Sequence, residues 1–183
     1  MRKVGMKYKK IHIIGGPGSG KTYISKKLSD VYNIPVFDLD SIFWDKKKRE
    51  YVRTSDDYRS IEIERVLQNS SWVIEGVYYK GLSRSFEKSD IIIVLRTPLY
   101  LRQWRIFKRF IFRKLDFNHD KQVTLSRFIE AVIWNHKYDN DNLIRFSDFT
   151  AKHAGKIVYC RTYSEIESAI NTLQIAPSTE SQG

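Results

Sequence analysis

The sequence predicts an α/β fold, a parallel sheet covered by helices on both faces, and three observations carry that expectation. Apolar strand-like runs alternate with helical periodicity along the chain. Ile91-Ile92-Ile93-Val94-Leu95 is an unbroken apolar run, as expected of a parallel strand buried on both faces. Between the first strand and the first helix lies Gly15-Gly16-Pro17-Gly18-Ser19-Gly20-Lys21-Thr22, which fits the pattern G-x-x-x-x-G-K-[ST].

The elements follow in order. Residues 1–9 read as a basic lead, with Met6 as an alternative start, and residues 10–14 as the first strand. From Lys21 to about Tyr32, Ile24, Leu28, Val31 and Tyr32 share a helical face. Ile34 to Phe37 reads as a second strand, followed by Asp38-Leu39-Asp40-Ser41, and residues 45–53 read as a charged connection. Thr54 or Ser55 offers an N-cap for a helix to about Gln68, with Asp56 and Asp57 in its first turn. Trp72 to Gly76 is a third strand with Glu75 near its carboxyl end, and the apolar run at 91–95 is the fourth. Thr97-Pro98 supplies an N-cap and a first helical position for a helix to about Phe112. Residues 115–122 are turn-like, and Leu125, Phe128, Ile129, Val132 and Ile133 mark an amphipathic helix from Thr124. A helix around 142–153, a fifth strand at 156–160 and a last helix to about Leu173 complete the pattern. Ser164 with Glu167 reads as the capping box of that last helix, and residues 176–183 as a tail.

At 183 residues with 42% hydrophobic side chains, the chain has the size and apolar content of a single domain, expected over residues 1–175. It contains no apolar run of membrane-spanning length and no apolar segment behind its basic N-terminus. The lone Cys160 cannot form an internal disulfide, and a reducing cytoplasm is the expected compartment. Net charge is +11, and the excess is local. Residues 1–10 carry Arg2, Lys3, Lys7, Lys9 and Lys10 without an acid; residues 102–114 carry Arg102, Arg105, Lys108, Arg109, Arg113 and Lys114 without an acid.

The chemistry expected of the loop follows from its residue types. Glycines let the backbone curl around a polyphosphate with N–H groups inward, and the next helix aims its N-terminal dipole at the same anion. Lys21 reaches the β- and γ-phosphates of ATP, and the Thr22 hydroxyl binds Mg²⁺. Ligands of such sheets bind beyond the carboxyl ends of the strands, where Asp38, Asp40 and Glu75 are expected to meet the loop. Asp40 is the candidate to accept or orient the proton of an acceptor hydroxyl, and Glu75 to hold the metal shell. Strand-end acids that merely cap or face solvent are the plain alternative. Arg102, Arg105, Arg109 and Arg113 share one helix face; a solvated face, with apolar Leu101, Trp104, Phe107 and Ile111 packed underneath, is the plain alternative. Of these arginines, Arg105 and Arg109 are the candidates to neutralise a transferring phosphoryl group. Arg84 and Tyr78, with Asp38 and Asp40, are placed on the acceptor side. The four histidines show no metal-ligand spacing.

These residues resemble those of the adenylate-kinase-like small P-loop kinases, over most of residues 10–173. Within that family the match is to the branch labelled DNA topology modulation proteins, or adenylate-kinase-related kinases. The resemblance rests on Gly15 to Thr22, the Phe37-Asp38-Leu39-Asp40 turn, Trp72-Val73-Ile74-Glu75-Gly76-Val77-Tyr78, Arg84, and Pro98 with the arginine helix. It implies a three-layer P-loop NTPase fold with a five-stranded parallel sheet. It also implies an acceptor-binding insertion at about 41–70 and a short helical lid at about 102–122. A phosphotransferase passing the γ-phosphate of Mg·ATP to a nucleotide or small hydroxyl compound is the implied activity. Where the branch reads Asp then Gly-Asn-Tyr, this chain reads Glu75-Gly76-Val77-Tyr78, so the acceptor stays open. A nucleic-acid-associated ATP-binding protein and an acceptor-free regulatory ATPase are the alternatives. Nucleic acid is a less favoured partner, no membrane is expected, and the oligomeric state is not legible.

Overall fold

The computed structural model describes residues 8–45, 52–77, 81–115, 124–138 and 151–175, with residues 171–175 described by backbone alone. In chain order the elements are β1 (Lys10–Gly15), α1 (Lys21–Tyr32), β2 (Val36–Asp38), α2 (Leu39–Phe43), β3 (Trp44–Asp45) and β4 (Val52–Arg53). Then come α3 (Asp56–Leu67), β5 (Trp72–Gly76), α4 (Ser83–Lys88), β6 (Ile91–Leu95), α5 (Leu99–Leu115) and α6 (Leu125–Tyr138). A 3₁₀ turn (Ala151–Lys156), β7 (Ile157–Cys160) and α7 (Tyr163–Ile175) close the described chain.

Five strands form one parallel sheet in the order β2-β5-β1-β6-β7. The α/β expectation therefore holds. Side chains alternate across β1, and the sequence uses both faces. Ile11 and Ile13 pack with Ile24 and Leu28 of α1 and with Ile166 and Ile170 of α7. Ile14, on the opposite face, packs with Leu39, Ile42, Phe43, Ile63, Leu67 and Phe86 from α2, α3 and α4. Burying a side chain such as Leu28 in full contributes about 2 kcal/mol. This double burial explains the continuous apolar strands.

His12 shares the second face. It is fully buried, stacks on Phe86 with centroids 4.6 Å apart, and lies 3.1 Å through Nδ1 from the Ser85 hydroxyl. Ser85 donates to the Leu82 carbonyl at 2.9 Å, so the imidazole Nδ1–H is the donor to Ser85 and Nε2 is left unprotonated. Nε2 has no hydrogen-bond partner among the described residues, and burial pushes the ring pKa down to about 3.

Three expectations are corrected locally, and one is narrowed. Part of the connection at 45–53 is ordered as an antiparallel ribbon, Trp44 opposite Arg53 and Asp45 opposite Val52. Of the two N-caps expected for α3, Ser55 is the one used, accepting from the Tyr58 amide at 3.2 Å. Thr162 with Glu165, rather than Ser164 with Glu167, makes the cap of α7, because α7 starts two residues earlier than its pattern suggests. Thr97 does not cap α5: Pro98 accepts from the Arg102 amide, which leaves the Thr97 hydroxyl for another partner. The basic lead at 1–7, most of the helix placed at 142–153 and the tail at 176–183 lie outside the described residues.

Candidate active site

The loop between β1 and α1 needs its glycines for two different reasons. Gly18 (φ 73°) and Gly20 (φ 99°) adopt left-handed backbone that glycine tolerates without strain. Gly15 is needed for space, since a Cβ there would stand 2.7 Å from the Ser19 hydroxyl and 2.9 Å from Cβ of Leu95. Inside the curl, Lys21 Nζ donates to the carbonyls of Gly15 at 2.8 Å and Gly16 at 3.1 Å. Burial lowers the Lys21 pKa, against the carboxylates of Glu75, Asp40 and Asp38, which favour its charge; Arg109 acts in the same sense as burial. The ammonium thus sits among three acids and one arginine.

The strand ends converge through the register of the sheet. Asp38 stands beside Glu75, and Glu75 beside Ile13, one residue short of the last β1–β5 pair. Thr22, the second residue of α1, donates its hydroxyl to Glu75 Oε1 at 2.7 Å. Burial raises the Glu75 pKa, opposed by that hydrogen bond and by Lys21 and reinforced by Asp38 and Asp40. Asp38 caps α2, its Oδ1 accepting from the Asp40 amide at 2.9 Å, and this turn carries Asp40 into the exposed mouth. Gly76 lets α2 approach the sheet, because a Cβ there would meet Leu39 at 2.7 Å.

The Thr22 hydroxyl and the Glu75 carboxylate are hard oxygen donors side by side, which suits Mg²⁺. Among the described residues no group of three His, Cys, Asp or Glu side chains is placed to hold an ion. A magnesium ion at Thr22 and Glu75 would therefore take its remaining ligands from nucleotide phosphates and water, as Mg²⁺ commonly does.

α5 reaches the loop from the other side. Thr97 donates to the Ser19 carbonyl at 3.0 Å, and Arg105 Nη1 donates to the carbonyls of Gly18 at 3.0 Å and Ser19 at 3.1 Å. Arg102 is buried against Gly16 and Gly18. Arg109 and Arg113 lie exposed further along the helix. The plain alternative, a solvated arginine face over a buried apolar underside, does not describe this helix. Trp104 is 60% exposed and Phe107 41%, while Arg102, Ile106 and Phe110 are buried. The arginine-bearing side of α5 seats on the loop, and Phe110 stacks on Phe128 of α6 at 4.7 Å, which leaves the other stripe outside.

Arg84, expected on the acceptor side, pairs with Glu64 at 2.9 Å and joins α4 to α3. Tyr78 lies outside the described residues, as do parts of the expected insertion (46–51) and lid (116–122). The contact of Thr97 with the loop was not legible, since a threonine before Pro98 reads first as a cap. Arg59 also escaped notice. It lies half-buried in α3, donates to the Thr54 carbonyl at 2.7 Å, pairs with Asp56 and covers the Phe43 ring.

No family model matches the chain. Proteins from Saccharolobus islandicus and Saccharolobus solfataricus called "putative adenylate kinase" are 31% identical to it over 94 residues. The match covers 47% of this chain and 48% of theirs, so the chain spans about half the length of these relatives. A shikimate kinase from Acinetobacter baumannii, solved with shikimate, superposes with a TM-score of 0.57 at 16% identity, over 93% of this chain and 97% of that one. A gluconokinase from Sinorhizobium meliloti superposes with a TM-score of 0.51 at 14% identity, over 90% and 91%. At such identities the superpositions speak for the fold alone. This chain is thus similar in sequence, over the matched stretch, to proteins called putative adenylate kinase, and similar in fold to a shikimate kinase and a gluconokinase.

Proposed function

We propose that the protein transfers the γ-phosphate of Mg·ATP to a hydroxyl of a nucleotide or another small molecule. The observation that supports this most is the Thr22–Glu75 hydrogen bond at the foot of the loop, with Lys21 beside it and Asp38 and Asp40 around it. Phosphoryl transfer asks a protein mainly for positioning and for charge stabilisation. In this reading the residues of the loop, Gly15 to Thr22, hold the triphosphate, and Thr22 with Glu75 holds Mg²⁺. Lys21 turns from the loop carbonyls to the phosphates. Asp40 receives or orients the acceptor proton, and Arg105 and Arg109 balance charge on the group in transit. Arg84 and Tyr78 are retained as acceptor-side candidates; Arg84 would have to exchange its pairing with Glu64 for the acceptor.

A pooled screen tests the reading. Mg²⁺-dependent ATP consumption is measured with nucleoside monophosphates, nucleosides, sugars, small alcohols or duplex DNA, for wild type and Lys21→Ala. Stimulation of the wild type by a small-molecule pool, absent in the variant, is the expected result. Stimulation by DNA alone, with no phosphorylated product, would replace it with a nucleic-acid-associated ATPase. Equal rates with and without every pool would favour an acceptor-free ATPase.

A further inference from the structure

A side chain that the phosphate-binding pattern does not require lies against the loop. Arg102 is 1% exposed and straddles the loop. A Cβ on Gly18 would come within 2.6 Å of the Arg102 carbonyl oxygen, and one on Gly16 within 2.2 Å of its Nη1. The same point on Gly16 is 3.0 Å from Cδ1 of Tyr138, whose ring lies 5.7 Å from the guanidinium carbon. Tyr138 is tilted against Trp134 with centroids 5.7 Å apart. Packed contacts therefore run without a break from the second residue of the loop to α6.

Asn135 supplies the independent observation. One turn before Tyr138 on the buried face of α6, it has no solvent exposure, and neither atom of its amide has a hydrogen-bond partner among the described residues. A buried unpaired amide is unfavourable, so α6 is held here by its aromatic contacts against a polar penalty. That makes its seating easy to shift.

We propose that Arg102 is a positioning residue that ties occupancy of the phosphate loop to the seating of α6. The inference rests on the nucleotide-binding part of the function proposed above and on nothing about the acceptor. Polyphosphate entering the loop adds negative charge next to Gly16, and the buried guanidinium moves toward it. Tyr138, packed on both Gly16 and the guanidinium, follows, and α6 moves with it. A ligand shifts such an element only by its differential affinity for the two seatings, and the charge at Gly16 is that difference.

The test uses the full chain labelled with 5-fluorotryptophan and titrated with Mg·ATP, the Trp134 ¹⁹F resonance being assigned with Trp134→Phe. In the wild type that resonance shifts as nucleotide saturates. In Arg102→Met it stays in place at saturation, and affinity falls by about 5- to 150-fold, the usual range of coupling between sites. Should Arg102→Met not fold, Tyr138→Leu interrupts the same contacts one step later and must also silence Trp134. Asn135→Leu removes the unpaired amide, so it raises Tm by about 2–4 °C and leaves Trp134 unresponsive. A purely structural Arg102 would lower Tm and leave the ATP-induced shift intact. That result, or a static Trp134 resonance in nucleotide-saturated wild type, overturns the proposal while leaving the kinase reading untouched. Failure of the wild type to bind nucleotide at all overturns both.

Discussion

Thr22, Glu75 and Lys21 form a compact polar unit at the carboxyl end of the sheet, and each has a separable consequence. Replacing Glu75 with Gln keeps an acceptor for the Thr22 hydroxyl and removes the charge. Glu75→Gln is therefore expected to fold normally and to raise the Mg²⁺ concentration needed for half-maximal ATP consumption; an unchanged Mg²⁺ dependence would remove Glu75 from the metal shell. His12, in the neighbouring strand β1, tests the core. Its ring is held near a pKa of about 3, against an ordinary value of 6.5, because burial disfavours the cation. Between those values the unfolded chain binds a proton that the folded chain refuses, so stability is full above about pH 6.5 and falls as pH drops toward 3. The loss by pH 5 is about 2 kcal/mol, and urea midpoints for wild type and His12→Gln, measured at pH 7.5 and pH 5, check it. The wild-type midpoint should fall more than that of the variant.

At the scale of elements, α5 and the loop behave as one unit. Gly18→Ala places a Cβ 2.6 Å from the Arg102 carbonyl at a left-handed φ of 73°. Backbone has to move, so a loss of roughly 1–3 kcal/mol is expected, readable as a lower urea midpoint. Arg105→Ala removes two hydrogen bonds to loop carbonyls and should weaken nucleotide binding itself. Arg109→Ala should leave nucleotide affinity within about threefold while turnover falls by about 10²-fold, the size of effect seen when one transition-state donor is lost. Calorimetry paired with turnover separates the two arginines; equal losses of affinity in both would merge their roles. The sequence showed which residues of α5 share a face, because 3.6-residue periodicity is local. It did not show which face meets the loop. Trp104 and Phe107 looked like the buried side because they are apolar, whereas the buried side holds Arg102, Ile106 and Phe110. A buried guanidinium on a glycine-rich loop is a tertiary event that hydrophobic patterning reads backwards.

Across the whole molecule, the parallel sheet was legible because apolar strands and intervening helices each carry their own signal. The meeting of Asp38 and Glu75 beside the loop then follows from parallel strands ending on one edge. The β3–β4 ribbon was not legible, since two-residue strands have no period to detect. Arg84 reads the same in sequence whether it serves a ligand or, as here, pairs with Glu64. Most of the fold, and the convergence of Lys21, Thr22 and Glu75 at the loop, could thus be argued from residues alone; pairings between distant segments, such as Arg84 with Glu64, could not. The central claim concerns where the γ-phosphate goes, and its fate is the measurement to make. With γ-labelled ATP, Mg²⁺ and the small-molecule pool that stimulates consumption most, label should appear in an organic phosphate ester, and Lys21→Ala should yield about 10²-fold less of it. Label found only in inorganic phosphate, at the same rate with and without acceptor, would contradict the account.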